Sequence, residues 1–347
     1  VRTDEKAFIY RSPMKIIRIR YRFSVWGVLI AILALSCGCA HHQPVSQSRP
    51  SAIYQATPGG DPLVNRFAPL FLVHHHDRLH NRIGRPAAKV GRWGAEHVYV
   101  DPERPALYYQ KNQFETAKGQ YTNLIYRVHF SAIPFSLVPF NISAGKNVGM
   151  IVVITLNGNQ QPVLVTTVQT CGCYAAILPT TYLPRTAFPN DWQGAPLQVY
   201  GETLPPVLDF KNRDSNHLLV TPRPEVHRVM GVTLVDRKNI KRLFSTPLIN
   251  GPLVPAETLE YLSLGEAATS FYHQEGILKG HVKGSVKLWE SLLLSWASLD
   301  LFVGTDKIYG DHRETGNAFY TSLKPWNRYT SDMGDFVRFL SFWGWQL

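Results

Sequence analysis

Two apolar runs on either side of an Asn-Gly pair constrain the fold of this chain most strongly. Residues 149–156 and 162–174 are rich in Val, Ile, Leu and Thr, and Asn157-Gly158 lies between them. Asn-Gly flanked by apolar runs is a strong local signal for a β-hairpin. The pattern therefore predicts two antiparallel strands, with Cys171 and Cys173 on one face of the second strand.

A second hairpin is predicted immediately upstream. Apolar residues alternate through residues 121–130, and a turn at residues 117–119 would pair this segment with residues 107–114. The alternation predicts one face made of Leu124, Tyr126, Val128 and Phe130, and another made of Ile125, Arg127 and His129.

Helical spacing replaces this alternation after about residue 255. Apolar residues recur every three or four positions through residues 281–302, which predicts an amphipathic helix ending at Gly304. The positions that carry this spacing are Val282, Val286, Trp289, Leu293, Trp296 and Leu299. Strands followed by helices predict an α+β fold, with an antiparallel β-sheet or sandwich and then a helical C-terminal part.

The chain divides into five segments on these patterns. The predicted segments are an upstream extension with a signal peptide (1–36), a cysteine-led flexible tether (37–62), an N-terminal helical segment (63–95), a β-rich domain (96–255) and the helical C-terminal part (256–347).

The first 39 residues predict export. Basic residues follow Met14, an apolar run covers residues 23–36, and small residues lead to Cys37 and Cys39. The segment resembles the signal peptide of bacterial lipoproteins, in which a small residue precedes the cysteine that is lipidated. That resemblance implies acyl chains on Cys37 or Cys39, and the mature chain would be anchored to a lipid bilayer through them. An ordinary cleaved signal peptide and an uncleaved anchor are the alternatives.

The residue that follows the lipidated cysteine indicates which membrane holds the protein. In lipoproteins of enteric bacteria, an aspartate there retains the protein at the inner membrane. Gly38 or Ala40 stands at that position in this chain. By that resemblance, the outer membrane, on the side facing the periplasm, is the expected location.

The net charge gives no indication of a nucleic-acid partner. The whole chain carries a formal charge of +11, with 36 basic and 25 acidic residues. Seven of those basic and two of those acidic residues lie in 1–36, so residues 37–347 carry 29 and 23, a net of +6. The charges are scattered and form no basic stripe that would follow a phosphate backbone.

Cys171-Gly172-Cys173 is the motif of greatest chemical interest downstream of the signal. Two cysteines one residue apart could form a strained and easily reduced disulfide, with Gly172 supplying the bend. Their thiolates could instead bind a soft metal such as zinc together with His129 from a neighbouring strand. A packed or bridged pair without chemistry is the third interpretation.

Cationic residues suggest two further sites. Arg127, His129, Arg223 and His227 would form an anion pocket if the fold brought them together, although water-facing strands commonly carry such residues. His76 and His80 have the i, i+4 spacing that can hold a metal on a helix, but histidine runs beside a tether are commonly solvated.

No familiar catalytic motif accompanies these clusters. The sequence lacks a G-x-S-x-G elbow, a Walker A loop and a dinucleotide-binding fingerprint. We therefore expect a non-catalytic envelope lipoprotein that binds an unidentified protein or small molecule. The alternative is a metal- or thiol-dependent periplasmic enzyme that uses Cys171 and Cys173 with His129.

Overall fold

The computed structural model describes residues 45, 49–137, 140–210, 216–236, 240 and 246–347. Strands make up 41% of the described residues and helices 17%. The predicted α+β fold with a helical C-terminal part is wrong, because the molecule is mostly β and is built on one large sheet.

The described residues form sixteen strands and four α-helices. The strands are β1 (Ala52–Thr57), β2 (Leu70–Val73), β3 (Arg85–Val90), β4 (Glu96–Asp101), β5 (Leu107–Thr116), β6 (Gly119–Ile133), β7 (Gly145–Asn157), β8 (Pro162–Gln169), β9 (Ala176–Pro179), β10 (Leu197–Val199), β11 (Glu202–Leu204), β12 (Asn216–Pro222), β13 (Val229–Asp236), β14 (Leu248–Pro255), β15 (Leu262–Leu264) and β16 (Ala267–Thr269). The helices are α1 (Pro62–Phe67), α2 (Leu288–Ser298), α3 (His312–Thr315) and α4 (Phe336–Phe342).

Ten of these strands make a nearly closed mixed sheet in the order β13-β12-β2-β1-β14-β5-β6-β7-β8-β9. Three neighbouring pairs are parallel, namely β12 with β2, β1 with β14, and β14 with β5. The other pairs are antiparallel. Parallel pairs require long connections, so the sheet brings together segments that are distant in sequence.

Both faces of the central strands are buried. Tyr126 and Val152 belong to the main core, which also contains Tyr54 and Phe71. Ile125 and Val153 face the other way and pack in a second core with residues from the C-terminal third of the chain. The predicted alternation in β6 is thus confirmed, and the C-terminal segment covers the outer face of the sheet.

Both predicted hairpins are confirmed. β7 and β8 pair antiparallel on either side of Asn157-Gly158. β5 and β6 pair with Thr116 opposite Gly119, which places the turn at the predicted site. β8 is shorter than predicted, because it ends at Gln169 and leaves both cysteines in the following turn.

The N-terminal predictions are only partly correct. Residues 52–57, which were assigned to the tether, form β1 between β2 and β14 in the large sheet. The helical residues of the predicted segment (63–95) are those of the short helix α1 and of two three-residue 3-10 turns, 79–81 and 92–94. Residues 70–73 form strand β2, because a short apolar run pairs as readily in a sheet as it packs in a helix.

The C-terminal part contains little helix. Helical spacing predicted residues 281–302 as a helix, and the structure forms α2 over 288–298 only. Most of the remaining chain from 256 onward is irregular and packs against the sheet. No helix among the described residues has the length and apolar character needed to cross a bilayer.

Several segments that carry candidate functional residues lie at one end of the sheet, which we call the thiol end. β5 and β7 run antiparallel to β6, while β14 and β1 run parallel to β5. All four strands therefore begin at the end where β6 and β8 finish. The cysteine turn after β8, the loop between β6 and β7 and the start of β1 lie at this end.

The buried face of β7 should contribute strongly to stability. We expect Ile154→Ala to lower the free energy of unfolding by about 2–5 kcal/mol, because Ile154 is buried in the main core. Ile277→Ala is the matched control, since Ile277 is 83% exposed and its loss should change stability by less than about 0.5 kcal/mol. Urea unfolding of both variants tests this, and equal losses would contradict the assigned core.

Candidate thiol site

The cysteine motif lies in the turn between β8 and β9. The Gln169 amide donates to the Cys173 carbonyl at 3.0 Å, and the Gly172 amide donates to the Gln169 carbonyl at 2.8 Å. Gly172 has a φ of +89°, a conformation that favours glycine. A Cβ atom at this position would overlap the Tyr320 carbonyl oxygen. The turn is therefore docked against the C-terminal segment so closely that only glycine fits.

The two cysteines lie next to each other in this turn. Cys171 is buried, while Cys173 is partly exposed, and both are free. The Cys173 amide lies 3.4 Å from the Cys171 sulfur and donates to it. The Cys171 thiol itself donates to Gln169 Oε1 at 3.7 Å. The sequence prediction that Cys171 and Cys173 lie side by side holds, although a turn and not a strand places them there.

Four buried ionisable residues from the C-terminal third surround the thiols. The Cys173 thiol is 3.9 Å from Glu290 Oε1 and can donate to it. Lys287 Nζ is 3.5 Å from Asp306 Oδ2, and the Thr170 hydroxyl donates to the same carboxylate. We call Cys171, Cys173, Lys287, Glu290, Asp306 and Lys307 the thiol cluster.

The charges of the thiol cluster shift its pKa values. Burial opposes ionisation of Cys171, but the hydrogen bond from Cys173 and the nearby Lys287 charge outweigh burial and lower the pKa of the Cys171 thiol. The pKa of Cys173 rises in turn, because its proton is held in the hydrogen bond to Cys171. Cys171 is therefore the more acidic thiol of the pair.

The basic and acidic neighbours respond to burial in different ways. Burial would lower the pKa of Lys287, but the Asp306 carboxylate beside it holds that pKa well above its usual value. Burial lowers the pKa of Lys307 and raises the pKa of the Glu290 carboxyl. A raised carboxyl pKa keeps a proton acceptor of suitable strength next to Cys173.

Several polar atoms of the cluster lack hydrogen bonds within the described structure. These atoms are Lys287 Nζ, Lys307 Nζ, Glu290 Oε2 and Asp306 Oδ2. Lys307 instead lies over the Tyr320 ring, with Nζ 3.6 Å from the ring centroid. Buried polar groups left without hydrogen bonds are costly and are concentrated at functional sites.

His129, the third residue of the predicted metal site, does not join the thiols. Its ring packs edge-on against Tyr108 and Phe271, with centroids 5.6 and 4.9 Å away. Neither ring nitrogen has a hydrogen-bond partner within the described structure, and burial holds the His129 pKa well below its usual value. Over the described ranges, no three His, Cys, Asp or Glu side chains are grouped to hold a metal.

The four residues of the predicted anion pocket occupy different faces of the sheet. Arg127 lies on the outer face beside His129, donates to the Lys307 carbonyl at 3.0 Å and lines a cavity of about 310 Å³. His227 stacks on Phe130, which belongs to the inner core, with ring centroids 4.0 Å apart. Arg223 forms an ion pair with Glu202. The structure brings Arg127 and His129 together, but places His227 on the opposite face.

The predicted histidine cluster is built into loops, not into one helix. His76 Nε2 lies 2.9 Å from the Tyr54 hydroxyl, and His80 pairs with Glu225. The hydrogen bond from His80 lowers the pKa of Glu225 to about 2. These contacts tie the loop after β2 to the turn between β12 and β13.

Sequence reasoning missed the charged members of the thiol cluster. Lys287 and Glu290 are three residues apart within an otherwise apolar stretch, and Asp306-Lys307 follows the glycine that ends the predicted helix. Charged residues are costly to bury without a partner, so their occurrence within an apolar stretch could have indicated a buried charged site.

Comparisons with known proteins add no assignment. No family model matches the sequence, and neither curated proteins nor solved structures provide a match.

Buried histidines make stability depend on pH. Burial lowers the pKa of His227 to about 4, only partly offset by its hydrogen bond to the Ala132 carbonyl. Between an unfolded pKa of 6.5 and that value, the unfolded chain binds more protons, so acid favours unfolding. We expect the free energy of unfolding to fall as pH drops from about 6.5 towards about 4, by on the order of 3 kcal/mol for this group.

Urea unfolding at several pH values tests this expectation. His227→Gln should lose less stability on acidification than the wild type, because glutamine does not titrate. His97→Gln is the matched control, since His97 is exposed on β4. An unchanged pH profile in His227→Gln would contradict the assignment.

Proposed function

We propose that this chain is a lipid-anchored protein of the bacterial envelope that uses Cys171 and Cys173 as a redox-active dithiol. The observation that carries the thiol chemistry is the adjacent cysteine pair, in which the Cys173 amide donates to the Cys171 sulfur at 3.4 Å beside buried Lys287. A thiolate is the reactive form of cysteine, and a nearby cation favours it. Of the two functions expected from sequence, this arrangement favours the thiol-dependent enzyme over the non-catalytic binding protein.

The proposed reaction exchanges two electrons with a substrate disulfide. Cys173 is the more exposed residue of the pair, and we assign its sulfur the first contact with a substrate. Cys173 passes its proton to Glu290 and attacks one substrate sulfur, the substrate S–S bond breaks and the first substrate thiolate leaves. Cys171, the more acidic thiol, then attacks the Cys173 sulfur as a thiolate. The protein disulfide forms, the second substrate thiol is released, and the protein is oxidised as the substrate is reduced.

The charged residues beside the two cysteines can assist the proton transfers in these steps. Glu290 Oε1 lies 3.9 Å from the Cys173 sulfur and can accept its proton. Lys287 stabilises the thiolate and pairs with Asp306. The reverse direction, in which the protein disulfide oxidises a substrate dithiol, uses the same groups. A strained disulfide between cysteines one residue apart would favour that direction.

Redox titration tests this proposal. The full chain would be equilibrated in glutathione buffers of graded potential and then alkylated, and the peptide that contains residues 171–173 would be measured by mass spectrometry. We expect a reversible two-electron transition between dithiol and disulfide, lost in Cys173→Ser. A pair that remains reduced, or that cannot be reduced once oxidised, would overturn the redox proposal.

The role of Lys287 is tested by alkylation rates. Lys287→Met keeps the length of the side chain but removes its charge, so the thiol pKa should rise and alkylation at neutral pH should slow by roughly tenfold per pKa unit. Lys146→Met is the matched control, because Lys146 is exposed at the start of β7. Equal rates in both variants would exclude Lys287 from thiol activation.

Metal analysis distinguishes the redox proposal from metal binding and from a non-catalytic binding protein. Stoichiometric zinc in the purified protein, lost in Cys171→Ser, would replace the redox proposal with metal binding. Inert thiols without metal would leave the non-catalytic binding protein.

The anchoring half of the proposal rests on the N-terminal sequence. Cys37 and Cys39 lie outside the described residues, and the resemblance to bacterial lipoprotein signals supports lipidation at one of them. The outer membrane, facing the periplasm, is the proposed location, because no aspartate follows either cysteine.

Metabolic labelling with a clickable palmitate analogue tests the anchor in a bacterial host. We expect the full chain to be labelled, and the label to disappear in the double variant Cys37→Ala/Cys39→Ala. Cys171→Ala is the matched control and should keep the label. Persistence of label in the double variant would exclude both cysteines as the lipidated residue.

A further inference from the structure

Helix α2 presents its apolar side to the outside. Leu292 and Trp296 are 60% and 74% exposed, and the αL cap residue Leu299 is 73% exposed. The buried residues of the same helix are Glu290 and Ser298. The helix therefore turns Glu290 and Ser298 towards the protein, while Leu288, Leu292 and Trp296 face away from it.

The loop between β6 and β7 extends this exposed surface. Phe135, at 54% exposure, stacks on Trp289 with ring centroids 6.4 Å apart. Phe140 approaches the same Trp289 ring edge-on at 5.5 Å. We call the contiguous surface made by Phe135, Leu288, Trp289, Leu292, Trp296 and Leu299 the apolar face. An exposed surface of this kind indicates an interaction site.

We propose that the apolar face rests on the lipid bilayer, inserted into the headgroup region of the leaflet that holds the anchor. Tryptophan and leucine on one side of a helix are typical of helices that lie in the membrane interface. Tryptophan suits this position because its ring is apolar and its N–H remains hydrated. The proposal rests on the lipid anchor of the proposed function and is independent of the thiol chemistry.

The path of the chain favours a bilayer as the occupant. β1 begins at the thiol end of the sheet, where the β6–β7 loop also lies. Either 12 or 14 residues separate Cys39 or Cys37 from Ala52. Since an extended chain spans at most about 3.6 Å per residue, the anchor would hold the thiol end within roughly 50 Å of the membrane.

Basic side chains accompany the apolar face. Lys146 is exposed at the start of β7, beside the loop that carries Phe135. Arg328, 30% exposed, donates to the Ser298 and Leu299 carbonyls at the C-terminus of α2 and lies 3.9 Å from the Asp300 carboxylate, which offsets part of its charge. Cations around an apolar surface suit the anionic headgroups of phosphatidylglycerol.

Quenching of tryptophan fluorescence by brominated lipid tests the proposal. The lipidated full chain would be reconstituted into vesicles of phosphatidylethanolamine and phosphatidylglycerol, with and without bromine on the acyl chains. We expect brominated lipid to quench part of the emission. Trp296→Phe should reduce the quenched fraction, because it removes an indole from the apolar face and retains an apolar ring.

Trp192→Phe is the matched control. Trp192 packs on Trp345 at 5.4 Å, and the neighbouring Gln346 carbonyl accepts from Lys118 in the β5–β6 turn, at the opposite end of the sheet. Its loss should not reduce the quenched fraction.

Flotation of the same samples separates the two proposals. A chain that floats with the vesicles but shows no quenching that depends on Trp296 keeps its anchor and overturns the membrane role of the apolar face. Such a chain that also dimerises, with loss of dimer in Trp296→Phe, assigns the face to a second copy. A chain that does not float overturns both the anchor and the membrane contact.

Discussion

Attachment of the C-terminal third to the turn after β8 is the constraint on which the rest of the structure depends. The Lys307 amide donates to the Thr170 carbonyl at 2.8 Å, and Arg127 on β6 donates to the Lys307 carbonyl at 3.0 Å. These bonds hold the segment that covers the outer face of the central strands, including Ile125 and Val153. They also bury lysine and aspartate side chains, which costs several kcal/mol per ion. The apolar contacts of the second core offset that cost, so the thiol cluster and the outer core stabilise each other.

The parts of the fold that could be predicted from sequence are local. The hairpins β5–β6 and β7–β8 depend on alternation and on a turn, and both are encoded within about 40 residues. β1 was missed because Ala52–Thr57 is a short strand in a polar segment, and its parallel neighbour β14 lies far along the chain, with Gln55 opposite Asn250. The helical C-terminal part was predicted from spacing alone. Helical spacing in one stretch does not show that the residues after it are helical. In the structure, those residues pack as irregular segments on the apolar outer face of the sheet.

Of the residues in the candidate site, only the two cysteines could be predicted from the sequence. Their separation by one glycine placed the two sulfurs together whether the backbone formed a strand or a turn. Lys287 and Asp306 reach the thiols from more than a hundred residues away, and no local pattern encodes that approach. His129 failed as a partner because β6 carries its ring under Phe271 on the outer face. α2 occupies only the middle of the predicted helix, and helical spacing shows which residues share a face, not which face meets the protein.

The two faces of α2 are connected by helix geometry. Positions three residues apart share a side of a helix, so directing both Lys287 and Glu290 at the thiols turns Leu288 and Leu292 outward. In water, each large apolar side chain left exposed forgoes roughly 1.5–3 kcal/mol of burial energy. Contact with lipid would recover much of that energy without moving the charged residues away from Cys171 and Cys173. A bilayer under the apolar face would also keep the partly exposed Cys173 near the membrane surface, where a substrate disulfide on another envelope protein would reach it. The orientation of the apolar face and the thiol cluster thus depend on each other, because α2 directs Glu290 towards Cys173 and Leu292 away from it.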